Sequence, residues 1–403
     1  MSSSAPPPTA SPTLDAERQK AMGLPLLRLA FRPFYLGAAL VATLAIPLWL
    51  ASYYGWLTTF PNINMFWHMH EMVYGFAVPV IVGFLYTGGQ AWTGLRTPHG
   101  WSLAAVFALW VAARLAMLLG NPMTAAIIDG AFLFIAAVPL YLVLKRANNK
   151  RNMFTVLILL LLAVANVLYH CAHNGLLSIS PVLPIYAAIF VVVMLETLMG
   201  GRVIPSFTKN TLPSVTPIVN VTRDHITVTL IALASITWLV PVPRALTAVL
   251  CALAGISVLI RVLGWKPWRT VAVPLLWILH LSYSWIGVGF LLLSLAALGK
   301  VSTSAAFHAL TIGSMAGLII GMITRTALGH TGRPLKARPV EVVTYSLVHI
   351  GAITRLAAAL VPAAAWHQTA LLVAMSCWSV AFVFYLAVYG PYLSRPRIDG
   401  RDG

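Results

Sequence analysis

A short segment of the chain places two histidines and a glutamate side by side at the start of an apolar run. The segment reads NMFWHMHEMVYGF over residues 64–76 and contains His68, His70 and Glu71. Imidazole is the commonest metal ligand in proteins and also binds haem iron, and a nearby carboxylate can orient such a ligand or carry a proton. The segment therefore predicts a metal site, a haem site or a proton path.

The spacing of these residues on a helix predicts which side chains meet. Residues two apart point in nearly opposite directions, whereas residues three or four apart share a face. His68 and His70 should therefore serve two different sites, one on each side of the helix. Glu71 is expected to share the face of His68, where it could carry a proton, and Tyr74 is expected to share the face of His70.

Other histidines also lie inside apolar runs. In LHLSYSW, residues 279–285, Tyr283 shares a helix face with His280 and could stand over a group bound there. A single histidine in a membrane helix more often bonds to a neighbouring helix than to a metal. Because several occur together, we predict metal ligation by the following set: His68, His70, His170, His280, His308 and His349.

The composition of the chain indicates the environment of these residues. Of the 403 residues, 60% are hydrophobic and only 9% are charged. About 20 apolar residues cross the hydrocarbon core of a bilayer, and lipid tolerates only helices or closed barrels. The long apolar runs lack the alternation of barrel strands, so we predict an all-α protein of the lipid bilayer, a bundle of twelve spans near residues 34–57, 68–90, 101–119, 123–144, 153–177, 181–201, 225–241, 244–264, 271–298, 303–328, 341–362 and 366–390.

The positions of lysine and arginine predict the orientation of the spans. Cytoplasmic loops collect basic residues, and an even number of spans puts both termini on one side. Most of the 26 basic residues flank the first and last spans or occupy even-numbered loops, whereas the odd-numbered loops carry only Arg244 and Lys300. Both termini should therefore be cytoplasmic, and the net charge of +17 reflects topology and not nucleic-acid binding. In this orientation most of the histidines should converge on the outer half of the bilayer.

The sequence predicts one transmembrane domain with two tails. Residues 1–28 should form a disordered cytoplasmic tail and not a cleaved signal peptide. Residues 29–392 should form the transmembrane domain, and residues 393–403 a cytoplasmic tail. The three cysteines lie inside spans without CxxC spacing, so neither a disulfide framework nor a zinc or iron–sulfur site is expected. No internal repeat is evident by inspection.

Two arginines inside spans have different expected roles. Arg114 and Asp129 flank the turn GNPM, residues 120–123, and should form a structural ion pair between neighbouring helices. Arg355 has no obvious partner. At the depth of the histidines it could bind a haem propionate, and equally it could extend to the outer surface.

A second polar cluster is predicted at the cytoplasmic face. ETLMGGRVIPSFT, residues 196–208, and TRTALGHTGRPL, residues 324–335, each place glycines beside arginines at a helix end. Guanidinium groups and backbone donors there could bind an anionic group or a quinone head. The competing interpretation is an ordinary basic loop with capping glycines. The candidate residues are Arg202, Arg325 and Arg333.

Several segments together carry a family resemblance. They are RLAFRPFYL near the first span, FWHMHEMVYGFAVPVIVGFLYTGGQAWTG (66–94), GGRVIPSFT (200–208), LHLSYSWI (279–286) and HALTIGSMAGLIIGMITRTALGHTGRPL (308–335). Their combination closely resembles the NnrS family over most of the chain. The resemblance implies a bacterial inner-membrane protein of twelve spans that contains haem and copper and is linked to denitrification and protection from nitric oxide.

The resemblance also implies site residues. By position, the family's motifs fall on His68, His70, His280, His308 and His330, with Glu71, Arg32, Arg202, Arg325 and Arg333 in the same segments. The sequence departs from the family at YTGGQAWTG, where an asparagine more often precedes the tryptophan. His349 and His173 lie outside the recognised segments.

Two functional hypotheses follow from the residues and the resemblance. In the first, imidazoles hold haem b and copper in a bundle similar in architecture to subunit I of the haem–copper oxidases, and nitric oxide is bound and reduced or otherwise removed. Glu71 would deliver protons, Tyr283 would act beside a bound group, and electrons would come from quinol or an external donor. In the second, a transporter or handling protein passes metal, haem or a small ligand across the membrane without redox turnover, and Pro79 and Pro274 interrupt spans as in such proteins.

Overall fold

The computed structural model describes residues 23–401 and is built from helices, without a β-strand in that range. The long helices are α1 (Phe31–Tyr53), α2 (Met65–Thr93), α3 (Gly100–Leu119), α4 (Pro122–Arg146), α5 (Phe154–His173), α6 (Val182–Thr211), α7 (Val221–Leu239), α8 (Arg244–Gly264), α9 (Pro274–Ala297), α10 (Thr303–His330), α11 (Pro339–Leu360) and α12 (His367–Ser394). Each predicted span corresponds to one helix, and the predicted all-α bundle is confirmed. The main boundary difference is α6, which continues beyond residue 201 through Pro205.

Eleven of these helices are long and apolar enough to cross a membrane, as expected for a membrane protein. The remaining helix, α7, is less apolar because it begins with a polar turn that contains Arg223, Asp224 and His225. Asp224 is not left unpaired, since Arg261 of α8 lies 2.8 Å from its carboxylate. The predicted tail at residues 1–28 lies mostly outside the described residues, and Pro25–Leu27 form one 3₁₀ turn.

Capping residues fix where several helices begin. The Asn64 side chain accepts hydrogen bonds from two backbone amides at the start of α2. Asn121 caps α4 directly before Pro122, and Ser302 caps α10. Asparagine and serine are favoured at such positions because their side-chain oxygens accept bonds from amides that lack a partner within the helix. The caps of α2 and α10 therefore help to set the directions in which their histidines point.

The helices α2 and α10 each change to a π-helical stretch immediately after a histidine. In α2 this stretch is Glu71–Ala77, which follows His70, and in α10 it is Ala309–Ala316, which follows His308. π-Helical turns are rare and frequently occur at functional sites. The hydrophobic pattern predicts both helices, but it does not predict the change in their winding.

The same two helices share a sequence pattern that inspection of the sequence missed. Aligning His70 with His308 also matches three pairs of glycines, namely Gly75 with Gly313, Gly83 with Gly321 and Gly94 with Gly332. Of the described spans, α2 and α10 are also the most buried. The expectation of no internal repeat is therefore wrong for these two helices, which are related in sequence, winding and environment.

The first and last helices close the bundle. The Trp378 indole of α12 donates a hydrogen bond of 2.7 Å to the carbonyl of Ala42 in α1. Elsewhere small residues allow close packing: a Cβ atom on Gly255 of α8 would lie 2.7 Å from the carbonyl oxygen of Gly287 in α9. Such contacts between small residues are typical of helix pairs in membranes.

Candidate functional site

One group of polar side chains joins α2, α4 and α5 in the interior of the bundle. Asp129 Oδ2 lies 3.1 Å from His70 Nε2 and 2.9 Å from His170 Nε2. The three side chains are buried, and their ligand atoms lie within 4.8 Å of one another. Two imidazole nitrogens and a carboxylate oxygen at these separations can hold a transition-metal ion. We refer to His70, Asp129 and His170 as the His70 cluster.

Neighbouring side chains fix the orientation of this cluster. His70 Nδ1 lies 3.1 Å from Glu71 Oε1, so an N–H group there donates to the carboxylate. Asn166 donates to Asp129 Oδ2 at 2.7 Å, and its own oxygen lies 2.9 Å from His70 Nε2. A histidine that donates from one ring nitrogen to a carboxylate presents its other nitrogen as a ligand. Glu71 therefore orients His70 towards Asp129.

The ion pair predicted between Arg114 and Asp129 is present, and it includes a third residue. Arg114 contacts Asp129 through Nη2, and its Nη1 lies 2.5 Å from Glu71 Oε1. Glu71 was expected on the face of His68, but it lies beside His70 instead. The helix changes its winding at Glu71, so the angular spacing of a regular α-helix no longer applies there.

Aromatic rings enclose the His70 cluster. Tyr74 stacks on the His70 ring with their centroids 4.7 Å apart, as the helical spacing predicts. The ring of Tyr169 lies 4.7 Å from the same imidazole. The Tyr74 hydroxyl donates to the carbonyl of Leu162, so it is not directed at the carboxylates. Because these rings exclude water, charges inside the cluster interact more strongly than they would at the surface.

A small cavity lies next to the His70 cluster. Its volume is about 50 Å³, and its lining includes His170, His173, Tyr169 and Trp67. The Trp67 indole nitrogen is buried and has no hydrogen-bond partner among the described residues. The cavity is bounded by the loop before α2 and the turn between α3 and α4, and it offers a small molecule a way to His170 from that end of the bundle.

A second group of residues lies on the other side of α2, as the spacing of His68 and His70 predicts. The His68 ring stacks on Trp49 at 5.3 Å and interacts electrostatically with Arg355 and His308. His308 Nδ1 lies 2.7 Å from the carbonyl oxygen of Ser304, and Arg355 donates to the Ser304 hydroxyl at 3.1 Å. We refer to His68, His308 and Arg355 as the His68 cluster.

The expected convergence of the histidines does not hold for His280 and His349. His280 Nε2 lies 2.9 Å from Thr208 Oγ1 near the end of α6, because His280 stands in the second turn of α9. His349 belongs to α11, and its Nε2 lies 3.4 Å from Ser282 Oγ of α9. Nδ1 of both rings is buried and has no partner among the described residues. Both histidines therefore lie apart from the two clusters around α2.

Tyr283 is held by an arginine and does not stand over His280. Its hydroxyl accepts a hydrogen bond of 2.7 Å from Arg261 and lies 3.5 Å from the carbonyl of Thr197. The Trp265 ring contacts both aromatic groups, at 4.8 Å from Tyr283 and 6.2 Å from His280. Tyr283 and His280 do share a helix face, as predicted, but the Trp265 ring occupies the space next to that face.

The arginines predicted at the cytoplasmic face each lie over an aromatic ring. The distances to the ring centres are 4.0 Å for Arg325 over Phe207, 5.2 Å for Arg202 over Phe154 and 3.7 Å for Arg333 over Tyr392. Arg325 thus joins α6 to α10, the two segments predicted to form this cluster. Arg202 and Arg333 contact α5 and α12, so the three arginines do not line one common site.

Arg32 links the two ends of the described chain. Its side chain is buried and donates to the carbonyls of Leu393 and Arg395, at 2.7 Å and 2.8 Å. Arg397 then donates to the carbonyl of His330 at 3.1 Å. Carbonyls at a helix C-terminus lack partners within the helix, and an arginine satisfies them well. Arg32 therefore caps α12 and holds residues 393–397 against the bundle.

An ion pair lies at the exposed end of this tail. The Arg397 guanidinium is 2.6 Å from the Asp399 carboxylate and lowers the pKa of that carboxyl below its usual value. Any stabilisation from this pair is present above the pKa of an unperturbed aspartate and is lost as the pH falls through the lowered pKa. The pair is therefore charged throughout the neutral range.

The sequence did not predict Asp129 as a member of the His70 cluster or Asn166 as a hydrogen-bond partner of that cluster. Asp129 was assigned only to the ion pair with Arg114, although it also contacts both histidines. Asn166 was not singled out, although it lies four residues before His170 and therefore shares its helix face. A search for polar residues one turn from each histidine would have found it.

The chain matches a known protein family over most of its length. The model of the family described as NnrS protein matches residues 25–397, which is nearly the whole chain. The matched region contains both histidine clusters and the arginines discussed above. No curated protein matches the chain.

Proposed function

We propose, because the chain belongs to the NnrS family, that it is an inner-membrane metalloprotein that holds haem b and copper and binds nitric oxide in order to reduce or otherwise remove it. The observation that carries the proposal is the placement of two histidine clusters on opposite sides of α2. Each cluster draws its side chains from more than one helix, and each lies beside a π-helical stretch. A membrane protein rarely buries so many ionisable groups without a function.

The His70 cluster fits copper. Imidazole nitrogens are good ligands for copper, and Asp129 adds a carboxylate oxygen. Glu71 accepts the Nδ1 proton of His70, which leaves Nε2 to face Asp129 and His170. Metal binding would replace the proton on that nitrogen, and the carboxylates and Arg114 already balance the charge around it.

The His68 cluster fits haem b. The Ser304 carbonyl accepts the Nδ1 proton of His308, which leaves Nε2 as the ligand atom. His68 of α2 interacts electrostatically with His308, and its Nδ1 is buried without a partner in the described chain. Arg355 supplies a cation for a propionate group. When bound, haem and copper would supply the redox chemistry; reducing two nitric oxide molecules to nitrous oxide takes two electrons and two protons.

The side chains of the protein would then position, shield and supply protons. Tyr74 and Tyr169 exclude water from the His70 cluster, and the cavity beside His170 admits a small ligand. Glu71 can exchange a proton with His70 Nδ1, which keeps its predicted role in proton delivery. Electrons would come from quinol or an external donor, and the Arg325 and Phe207 contact at the cytoplasmic end is the candidate quinol position.

A transporter or handling protein for metal, haem or a small ligand is the second candidate. The observation that favours it is the relation between α2 and α10, since many transporters contain repeats with interrupted helices at corresponding positions. The two candidates differ in how tightly the ligand is held. A redox centre should copurify with haem and copper at a fixed ratio, whereas a transporter should load incompletely and exchange its ligand.

The deciding experiment is the reduced-minus-oxidised optical spectrum of the detergent-purified protein, recorded without oxygen before and after nitric oxide is added. A b-type haem spectrum that shifts with nitric oxide supports the first candidate. Turnover is then measured with a quinol donor. A colourless protein from cells with ample haem would contradict the haem site and favour transport.

A further inference from the structure

A carboxyl group without a cationic partner lies in the middle of the bundle. Glu196 stands halfway along α6, and its Oε2 accepts a hydrogen bond of 2.9 Å from the Ser314 hydroxyl of α10. Ser314 is fully buried within the π-helical stretch that follows His308. Neither cluster around α2 includes Glu196, and the proposed function gives it no role.

The other carboxylates of residues 23–401 are all paired with arginine. The pairs are Glu71 and Asp129 with Arg114, Asp224 with Arg261, Glu341 with Arg338, and Asp399 with Arg397. Within the described chain, Glu196 alone has only a hydroxyl group as its partner. A membrane interior does not tolerate an unpaired carboxylate, so this environment favours the neutral acid.

The following charged and titratable groups on nearby helices contact residues other than Glu196. Arg261 of α8 binds Asp224 and the carbonyl of Thr197, and Tyr283 of α9 binds Arg261. On α2, Glu71 binds Arg114, and on α10, His308 bonds to Ser304. These residues neither donate to Glu196 nor neutralise it. Glu196 is half-buried, so the state of its carboxyl is set by its position in the middle of α6, inside the membrane, and by Ser314.

We propose that Glu196 is a proton-binding residue inside the membrane. The acid holds its proton on Oε1, while Ser314 donates to Oε2. When the O–H bond of the acid breaks, the proton leaves to a water or hydroxyl acceptor, and the carboxylate remains bound to the Ser314 hydroxyl, which serves both states of the acid. This proton site is separate from the His70 cluster and does not depend on haem or copper.

Carbodiimide labelling of the full-length purified protein tests the proposal. Dicyclohexylcarbodiimide adds to a protonated carboxyl in an apolar site: the acid proton moves to a reagent nitrogen, the carboxyl oxygen bonds to the central carbon, and rearrangement leaves a stable N-acylurea. We expect one adduct in the peptide that contains Glu196, detected by mass spectrometry. Glu196→Gln keeps the size and the hydrogen bond to Ser314, and it should lose the adduct.

Carboxylates paired with arginine provide the matched control. Glu71→Gln should leave the labelling unchanged, because Glu71 is paired with Arg114. Infrared spectroscopy gives a second measurement that does not require the reagent to enter: the carbonyl stretch of a protonated carboxyl should shift in heavy water and vanish in Glu196→Gln. An infrared band unchanged by Glu196→Gln, or an adduct that persists in that variant, would overturn the proposal. Neither measurement uses nitric oxide, so failure of the proposed function would not affect this result.

Discussion

At the scale of single residues, Arg114 stands out in the described chain because it forms ion pairs with two buried carboxylates. It is nearly buried and contacts two carboxylates, Glu71 and Asp129, which in turn hold His70. Removing one member of a buried charge network leaves the others without compensation, and this is usually more harmful than removing both partners. The arginine therefore supports both the stability of α2–α4 and the geometry of the His70 cluster.

We predict that Arg114→Gln destabilises the protein more than Asp129→Asn does. The first change leaves two buried carboxylates without their cation and should cost about 3–5 kcal/mol, whereas the second leaves Arg114 paired with Glu71. Adding Asp129→Asn to Arg114→Gln should restore part of the loss. Thermal unfolding of the purified protein in detergent measures all three variants. Equal losses in the single variants, with simple addition in the double variant, would contradict a shared network.

We predict that the two histidine clusters hold different cofactors. His68→Ala and His308→Ala should abolish or shift the haem absorption band and leave the copper content unchanged. His170→Ala should lower the copper content and leave the haem band in place, since His170 bonds to Asp129 in the other cluster. Optical spectra and elemental analysis of the same samples measure both quantities, with His367→Ala as a control, because His367 lies at the start of α12. Loss of both cofactors from each variant would point to a single shared site or to unfolding.

At the scale of helices, α2 shows how far the sequence alone can lead. Its hydrophobic pattern predicts the span, and the two-residue spacing of His68 and His70 correctly predicts that their rings lie among different neighbours. The position of Glu71 could not be predicted, because the rule of 3.6 residues per turn fails where the helix becomes π-helical. The partners of His280 and His349 could not be predicted from the sequence either, because they depend on how α9 and α11 are placed along the neighbouring helices.

Close packing of α8 against α9 gives a prediction at this scale. In Gly255→Ala the new Cβ atom would lie 2.7 Å from the carbonyl oxygen of Gly287, so the two backbones must separate. We expect a loss of about 1–3 kcal/mol, measured as a lower midpoint of thermal unfolding. Gly390→Ala in α12 is the matched control, because a Cβ atom there meets nothing within 4 Å. A Gly255→Ala protein as stable as this control would show that the helix pair adapts without cost.

At the scale of the whole molecule, an even number of spans puts both termini on the same side of the membrane, and an odd number puts them on opposite sides. Eleven helices meet the criteria of length and apolar content, and α7 does not. Yet α7 lies antiparallel to α8, and contacts run from one end of the pair to the other: Asp224 with Arg261 at 2.8 Å, Thr227 with Ser257 at 2.6 Å, and Thr247 with the carbonyl of Thr237 at 3.1 Å. A helix aligned along the length of a spanning helix should cross the membrane with it.

This alignment predicts that α7 crosses the membrane and that the chain has twelve spans with both termini in the cytoplasm. The polar first turn of α7 then lies at the cytoplasmic end, where Arg261 neutralises Asp224. Alkaline phosphatase fused after Leu212 or after Lys266 should be inactive, because both positions would face the cytoplasm, whereas a fusion after Gly299 should be active. Phosphatase activity after Lys266 but not after Leu212 would show that α7 stays on one side. The even number of spans would then be lost, and with it the cytoplasmic position predicted for the C-terminus from the basic residues that follow α12.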